Sequence, residues 1–472
     1  MMLRLCALLA ALSALACLAP ARAQDALTPA LDRILDVPAL KGGITGAIVC
    51  RADTGEVLYS HDADTRLIPA SNRKLFTSAA ALEVLGDGFQ IHTALLTDAK
   101  PDATGTVQGS LYLRGGGDGL LSPADLDALA QKLAALGVRQ VAGNVVGDGG
   151  LFTDGPYGFG WEWDDFSDEE FPQISALEVN EGVLGVHVAP GKSAGDPVIV
   201  TLTPPTDYLP VSAAATTGAK DAPNDCTVSR PWDKNYFRVT GTLPLGAVLD
   251  QSIPVKDPPL LAAILLRQSL AKIGISVSGR AVMGRTPAGA VTLAEHLSLP
   301  LAQYLPRMNK PSDNLLAECL VRLTGMNGNA AVSYEIGHAR ETIFLQALGL
   351  DTSALGMVDG CGVGRRNFVT ARAVSLLLLG MHKKADWRVW YDSLPIAGVD
   401  GTLRSRMKGT PAANNVHAKT GTLGQVRALS GYVSGHSGTL YAFSLLMNNF
   451  PGTARQAGSA QDQFVEYLAA HP

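Results

Sequence analysis

Strand-forming patterns sit at both ends of this chain, and helical patterns lie between them. Near the start, GGITGAIVCRADTGEVLYSHDAD (42–64) reads as two strands joined by a turn at Asp53-Thr54-Gly55. Near the end, VHAKTGTL (416–423) and RALSGYVSGHSGTLYAFSLLMNN (427–449) read as three more, followed by a helix at GSAQDQFVEYLAAH (458–471). Two early strands and three late ones imply one antiparallel sheet built from both ends of the chain. The middle third is then an insertion, and at 472 residues the chain is long enough for two or three domains.

Inside that insertion, IHTALLTDAK (91–100) and GTVQGSLYLRGGGDGLL (105–121) are strands. SPADLDALAQKLAALGVRQVAGNVVGD (122–148) is a capped amphipathic helix with a glycine stop at Gly137, followed by another strand. Residues 174–250 are rich in Val, Thr, Pro and Gly and read as a small all-β piece, before DPPLLAAILLRQSLAKIGISVSG (257–279) returns to helix and strand. A helical stretch covers roughly 296–350. The glycines of RGGGDGLL have neither G-x-G-x-x-G spacing nor a following G-K-[ST], so they read as a turn and not as a phosphate loop.

The predicted organisation is α/β and multidomain. A signal peptide covers 1–23, a catalytic domain 24–95 and 288–472, an inserted α/β domain 96–173 and 251–287, and a small β domain 174–250. The signal peptide rests on Arg4, an apolar run from Leu5 to Leu18, and Ala21-Arg22-Ala23 as the cleavage site, which predicts export to the periplasm. A formal charge of −5 with no basic run argues against nucleic-acid binding. Beyond the signal, Cys50, Cys226, Cys319 and Cys361 are far apart, without C-x-x-C spacing, and the histidines form no H-x-x-x-H pattern. No metal or cofactor is expected, and the thiols are expected to be buried or weakly paired.

PASNRKLFTSAAALEVLG (69–86) begins a helix near Ser71 that is mostly apolar from Leu75 onward. A lysine at the head of a buried helix costs desolvation unless it is paired or does chemistry. Ser71 and Lys74, three apart on a helix, lie on one face. Two further short motifs follow: Ser312-Asp313-Asn314 and Lys419-Thr420-Gly421. S-x-x-K, S-D-N and K-T-G together are the set used by class A β-lactamases and penicillin-binding proteins. Each alone is weak. Ser269 and Lys272 also form an S-x-x-K, which reads as plain helix surface.

The residue types fit nucleophilic acyl transfer. Serine needs a base. A free lysine has a pKa of about 10.4, roughly 3 units too high for a base near neutrality. Burial of Lys74 and the nearby ammonium of Lys419 both push in the needed direction. The Ser312 hydroxyl can relay a proton, and the Asn314 amide can hold the substrate backbone. Lys419 and Thr420, on an edge strand, offer a cation and a hydroxyl to a carboxylate. The Thr422 N–H can join a helix N-terminal N–H as an oxyanion hole. Gly421 fits where another backbone must lie close.

PASNRKLFTSAAALEVLG, SDNLLAE, DGCGVGRRNFVTAR and KTGTLGQVRALSGY resemble the low-molecular-mass class C penicillin-binding proteins, the S13 family of D-alanyl-D-alanine carboxypeptidases and endopeptidases. LYLRGGGD and WEWDDF extend the likeness across nearly the whole mature chain. The gap from Ser71 to Ser312 is more than twice that from Ser312 to Lys419, as in that family, whose members carry two extra domains there. The resemblance implies a transpeptidase/β-lactamase-like catalytic domain, a peptidoglycan stem peptide as substrate, a Ser71 acyl-enzyme and trapping by β-lactams. It also implies that Asp164 and Arg365 hold a diamino acid side chain. Cys361 and Gly364 stand where the family usually has serines, and SDEEF replaces a tyrosine-rich run. Competing readings are a β-lactamase or esterase on the same fold, or a silent envelope scaffold. The sequence leaves the oligomeric state open.

Overall fold

The computed structural model describes residues 27–471 except 164, 233, 327, 329 and 330. The signal peptide, with its cleavage site, and Asp164 therefore lie outside the described residues. The chain divides into two compact units. The first comprises residues up to Ala80, Leu305–Ser312 and Thr342–Pro472; the second comprises Ala81–Tyr304 and Asp313–Glu341.

The first unit contains the sheet expected from the two chain ends. Its order is His417–Leu423, Val426–Ser434, Leu440–Asn448, Ile44–Arg51, Val57–His61, every pair antiparallel. Both faces are covered, which is why LYAFSLLMN is mostly apolar, interrupted only by Ser444 before Asn448, and does not alternate. One face packs on the C-terminal helix Ala454–Ala470 and the helical stretch 27–35, around Val49, Leu429, Phe443, Leu445 and Phe464. The other meets the helix Ala371–His382 and the turn at Ser71. His417–Leu423 is an edge strand, as expected.

In the second unit a mixed sheet runs in the order Ala281–Met283, Val145–Asp148, Leu111–Arg114, His92–Thr97, Val291–Leu297. The helices Pro123–Ala135 and Pro258–Lys272 pack on it. The first of these has the capping box read from SPAD, Ser122 with Asp125, and Gly137 follows its end at φ +82°. From Val183 to Pro254 the elements are strands in small sheets. They share one apolar core with the mixed sheet, through Leu184, Val186, Phe237, Leu261 and Leu266.

His92–Thr97 and Val291–Leu297 pair with each other inside the second unit. One expectation needs correction: Ser269 is not plain surface. It is 4% exposed, and its hydroxyl and the Lys272 ammonium both engage Asp127 on the neighbouring helix. The Arg114–Leu121 glycines are a tight loop, where a Cβ on Gly115 would stand 2.1 Å from the Ala176 carbonyl. Cys50, Cys226, Cys319 and Cys361 are all buried. No described helix is long and apolar enough to cross a membrane.

Candidate active site

Ser71 sits in a 3₁₀ turn, Ala70–Asn72, that feeds the α-helix Arg73–Leu85. The nucleophile candidate thus precedes the α-helix and does not open it. Ala70 is held at φ +46°, a left-handed conformation that a non-glycine residue adopts at a cost. The turn is wedged against the edge strand. A Cβ on Gly421 would lie 2.6 Å from the Pro69 carbonyl, so the backbone that requires glycine here is the chain's own. Asn72 Nδ2 donates to the Lys419 carbonyl at 2.7 Å.

Lys74 is fully buried, and its Nζ donates to Ser71 Oγ and to the Cys361 carbonyl, each at 3.0 Å. The loop that supplies that carbonyl is strapped to the helix. Thr77 Oγ1 donates to the Gly360 carbonyl at 2.6 Å, and Arg73 Nε to the Asp359 carbonyl at 2.8 Å. The Asp359 carboxylate in turn accepts from the Gly362 and Gly364 amides and from Asn367 Nδ2. Position 361 therefore meets Lys74 through its main chain, which any residue offers.

Lys419 is also fully buried, on the sheet face that carries Ser430 and Ser444. Its Nζ donates to the Thr420 carbonyl at 3.1 Å. Burial, and then the charge of Lys74, push its pKa well below the ordinary lysine value. Ser71, Lys74 and Lys419 are thus brought together. The Ala418 N–H donates to the Pro395 carbonyl, away from the neighbouring strand. Strand parity turns the N–H groups of Thr420 and Thr422 to that same outer edge.

Ser312 ends the segment Leu305–Ser312 at φ +72°. It lies outside the helix Asn314–Leu323, whose cap is Asp313, accepting from the Leu316 amide at 2.8 Å. Two residues earlier, Lys310 pairs with Asp400 at 2.5 Å, and its carbonyl accepts from the Thr402 amide at 3.0 Å. Thr420 Oγ1 donates to Thr402 Oγ1 at 2.7 Å. Thr402 therefore joins the Ser312 segment to the Lys419 strand. Arg365 is exposed, with Nη1 3.4 Å from the Gly424 carbonyl just past that strand. Asn314 belongs to the second unit, where its Nδ2 donates to the Glu170 carbonyl at 2.9 Å. Sequence reasoning missed Asn72, Asp359 and Thr402. The first two lie within quoted motifs, but Asn72 bonds the distant Lys419 carbonyl, and the Asp359 carbonyl is reached by the distant Arg73.

The D-Ala-D-Ala carboxypeptidase 3 (S13) family matches residues 27–471. The D-alanyl-D-alanine carboxypeptidase of Actinomadura sp. (strain R39) is 40% identical over 457 residues, covering 93% of this chain and 84% of that one. The D-alanyl-D-alanine carboxypeptidase DacB of Haemophilus influenzae is 28% identical over 418 residues, 87% and 86% of the two chains. The crystal structure of penicillin binding protein 4 from Haemophilus influenzae aligns with a TM-score of 0.82 at 26% identity, over 93% of this chain and 98% of that one. The same protein complexed with a β-lactam gives 0.75 over the same shares. With the match running from residue 27 to residue 471, this chain belongs to the D-Ala-D-Ala carboxypeptidase 3 (S13) family.

Proposed function

We propose that the chain is a serine D-Ala-D-Ala carboxypeptidase and DD-endopeptidase that acts on peptidoglycan stem peptides through an acyl-enzyme on Ser71. The observation that carries this reading is the Lys74 ammonium, buried and 3.0 Å from the Ser71 hydroxyl, with Lys419 beside it. Two ammonium groups in one dry pocket favour loss of a proton from the pair. Lys74 then takes the Ser71 proton as Oγ attacks the carbonyl carbon of the penultimate D-alanine. The oxyanion forms against the Ser71 and Thr422 N–H groups. The C–N bond breaks, and the leaving amine receives the proton through the Ser312 hydroxyl. Water then cleaves the ester and frees Ser71. Asn314 holds the substrate backbone. Lys419, Thr420 and the edge strand at Gly421 receive its carboxylate end and its extended chain. Asp164 and Arg365 contact the diamino acid side chain, a role for Arg365 supported by its place beside Gly424.

A β-lactam enters the same sequence and stalls at the ester, which supports β-lactams as inhibitors. The enzyme works outside the cytoplasm, in the periplasm, after removal of residues 1–23, a reading supported by the N-terminal sequence. Within the insertion we retain an α/β part and a small β part, supported by the run of strands from Val183 to Pro254.

Intact-mass measurement after penicillin tests the reading. One stable adduct, mapped to Ser71 and absent from Ser71→Ala, is expected. Rapid turnover without an adduct would make the chain a β-lactamase, and no reaction at all would make it a scaffold.

A further inference from the structure

Arg427 faces Thr422 across the ladder between the edge strand and its neighbour. Its Nη1 donates to Thr422 Oγ1. A guanidinium has donors only, so the threonine oxygen must accept. The single hydroxyl hydrogen of Thr422 is left for an acceptor on its other side. Thr422 is exposed, three residues along the edge strand from Lys419, so that acceptor comes from solution.

The surrounding charges point to the kind of acceptor. The charged groups that act on Arg427 are a second cation, Arg406, and one acid, Asp462. Arg406 takes the acid, Asp462, through Nε at 2.8 Å and Nη2 at 2.7 Å, and also reaches the Gly458 carbonyl and Gln461 Oε1. No carboxylate among the described residues pairs with Arg427, and its Nε is buried without a partner. Burial and the Arg406 charge both disfavour its cationic form, Asp462 being the one opposing influence. The space for this guanidinium is built in. Gly458 lies inside the C-terminal helix, and a Cβ there would stand 3.0 Å from Arg427 Nη2. Helices do not otherwise favour an interior glycine.

We propose that Arg427 is a specificity-determining positioning residue. It fixes the Thr422 hydroxyl as a donor and adds positive potential at the strand edge, so that the enzyme selects a leaving group that carries a free carboxylate. This rests on the acyl transfer at Ser71 proposed above.

The test uses the mature protein and two thioesters with the same D-alanyl acyl group. One has a thioglycolate leaving group, and the other has its methyl ester. In Arg427→Gln the ratio of kcat/KM for acid over ester falls about tenfold, chiefly through KM for the acid. Arg427→Lys restores part of it. Gly458→Ala, which crowds the guanidinium but keeps the charge, lowers the ratio by a smaller factor. On a Thr422→Val background the Arg427→Gln change adds less than twofold. A merely structural arginine would depress both thioesters alike, and an unaltered ratio or an equal loss overturns the proposal. Should Arg427→Gln not fold, Gly458→Ala and Thr422→Val decide by the same ratio. The penicillin adduct separates the two readings: its absence in the unaltered protein removes the acyl-enzyme, whereas an adduct with an unaltered ratio in the variants removes only Arg427.

Discussion

Arg322 in the second unit and Lys419 in the first are both buried cations, held in opposite ways. Arg322 is 2% exposed and pairs with Glu318 at 2.9 Å and with Asp154 at 2.7 Å. Burial works against its charge, yet the two carboxylates outweigh it and hold its pKa above the ordinary arginine value. Lys419 is 0% exposed, donates to a backbone carbonyl, and has another ammonium as its electrostatic neighbour. A buried charge whose neighbours satisfy it ties a structure together. One whose neighbours oppose it is held there by the rest of the fold, and marks a place where protons or anions are handled.

Replacing each cation by methionine breaks this contrast most directly. Lys419→Met is expected to slow penicillin acylation on the order of 10⁴-fold, followed by stopped-flow or quenched mass spectrometry. The same change should raise the stability to urea, by about 1–2 kcal/mol. A less stable Lys419→Met protein would mean that the ammonium is satisfied as Arg322 is. Arg322→Met should do the reverse and cost about 3–5 kcal/mol, because it strands Glu318 in the interior. Chemical denaturation shows this as a lower midpoint, with acylation by the remaining folded protein little altered.

The pH dependence of stability sharpens the comparison. The folded-state pKa of Lys419 is depressed, so between that value and the unfolded value of about 10.4 the unfolded chain binds the extra proton. Stability therefore rises with pH across that window, and the whole penalty is present below it. Melting temperatures measured from neutral pH upward should show the rise in the unaltered protein and lose it in Lys419→Met. Arg322→Met should keep it. A smaller effect concerns the clamp on the strand: Asn72→Ala leaves the Lys419 carbonyl short of a buried donor and should cost about 1–3 kcal/mol.

Much of the catalytic unit was legible because its signals are local. Strand-forming runs bounded by turns marked the five strands, and S-x-x-K spacing put Lys74 within reach of Ser71. Ser269 and Lys272 show the limit of that logic. The same spacing on the helix Pro258–Lys272 meets Asp127, a carboxylate from another helix, and becomes an ordinary polar contact. What the sequence hid were long-range main-chain contacts. The Cys361 carbonyl on Lys74 spans 287 residues and the Asn72 contact to the Lys419 carbonyl spans 347. Side-chain identity carries no trace of such bonds. One strand pairing was hidden for a related reason: that of His92–Thr97 with Val291–Leu297 depends on register across nearly two hundred residues of intervening chain.

The strand Ile44–Arg51 finds its inner neighbour, Leu440–Asn448, only near the far end of the polypeptide. Bringing them together closes a very long loop, an entropic toll that grows slowly with length but delays pairing. Without that pairing the early hairpin has an open flank, and the edge strand that carries Lys419 has no sheet to join. The hydroxyl–lysine pair at Ser71 and Lys74 and the distant Lys419 are therefore held side by side only through this pairing of early and late strands, which makes the sheet itself the frame of the site.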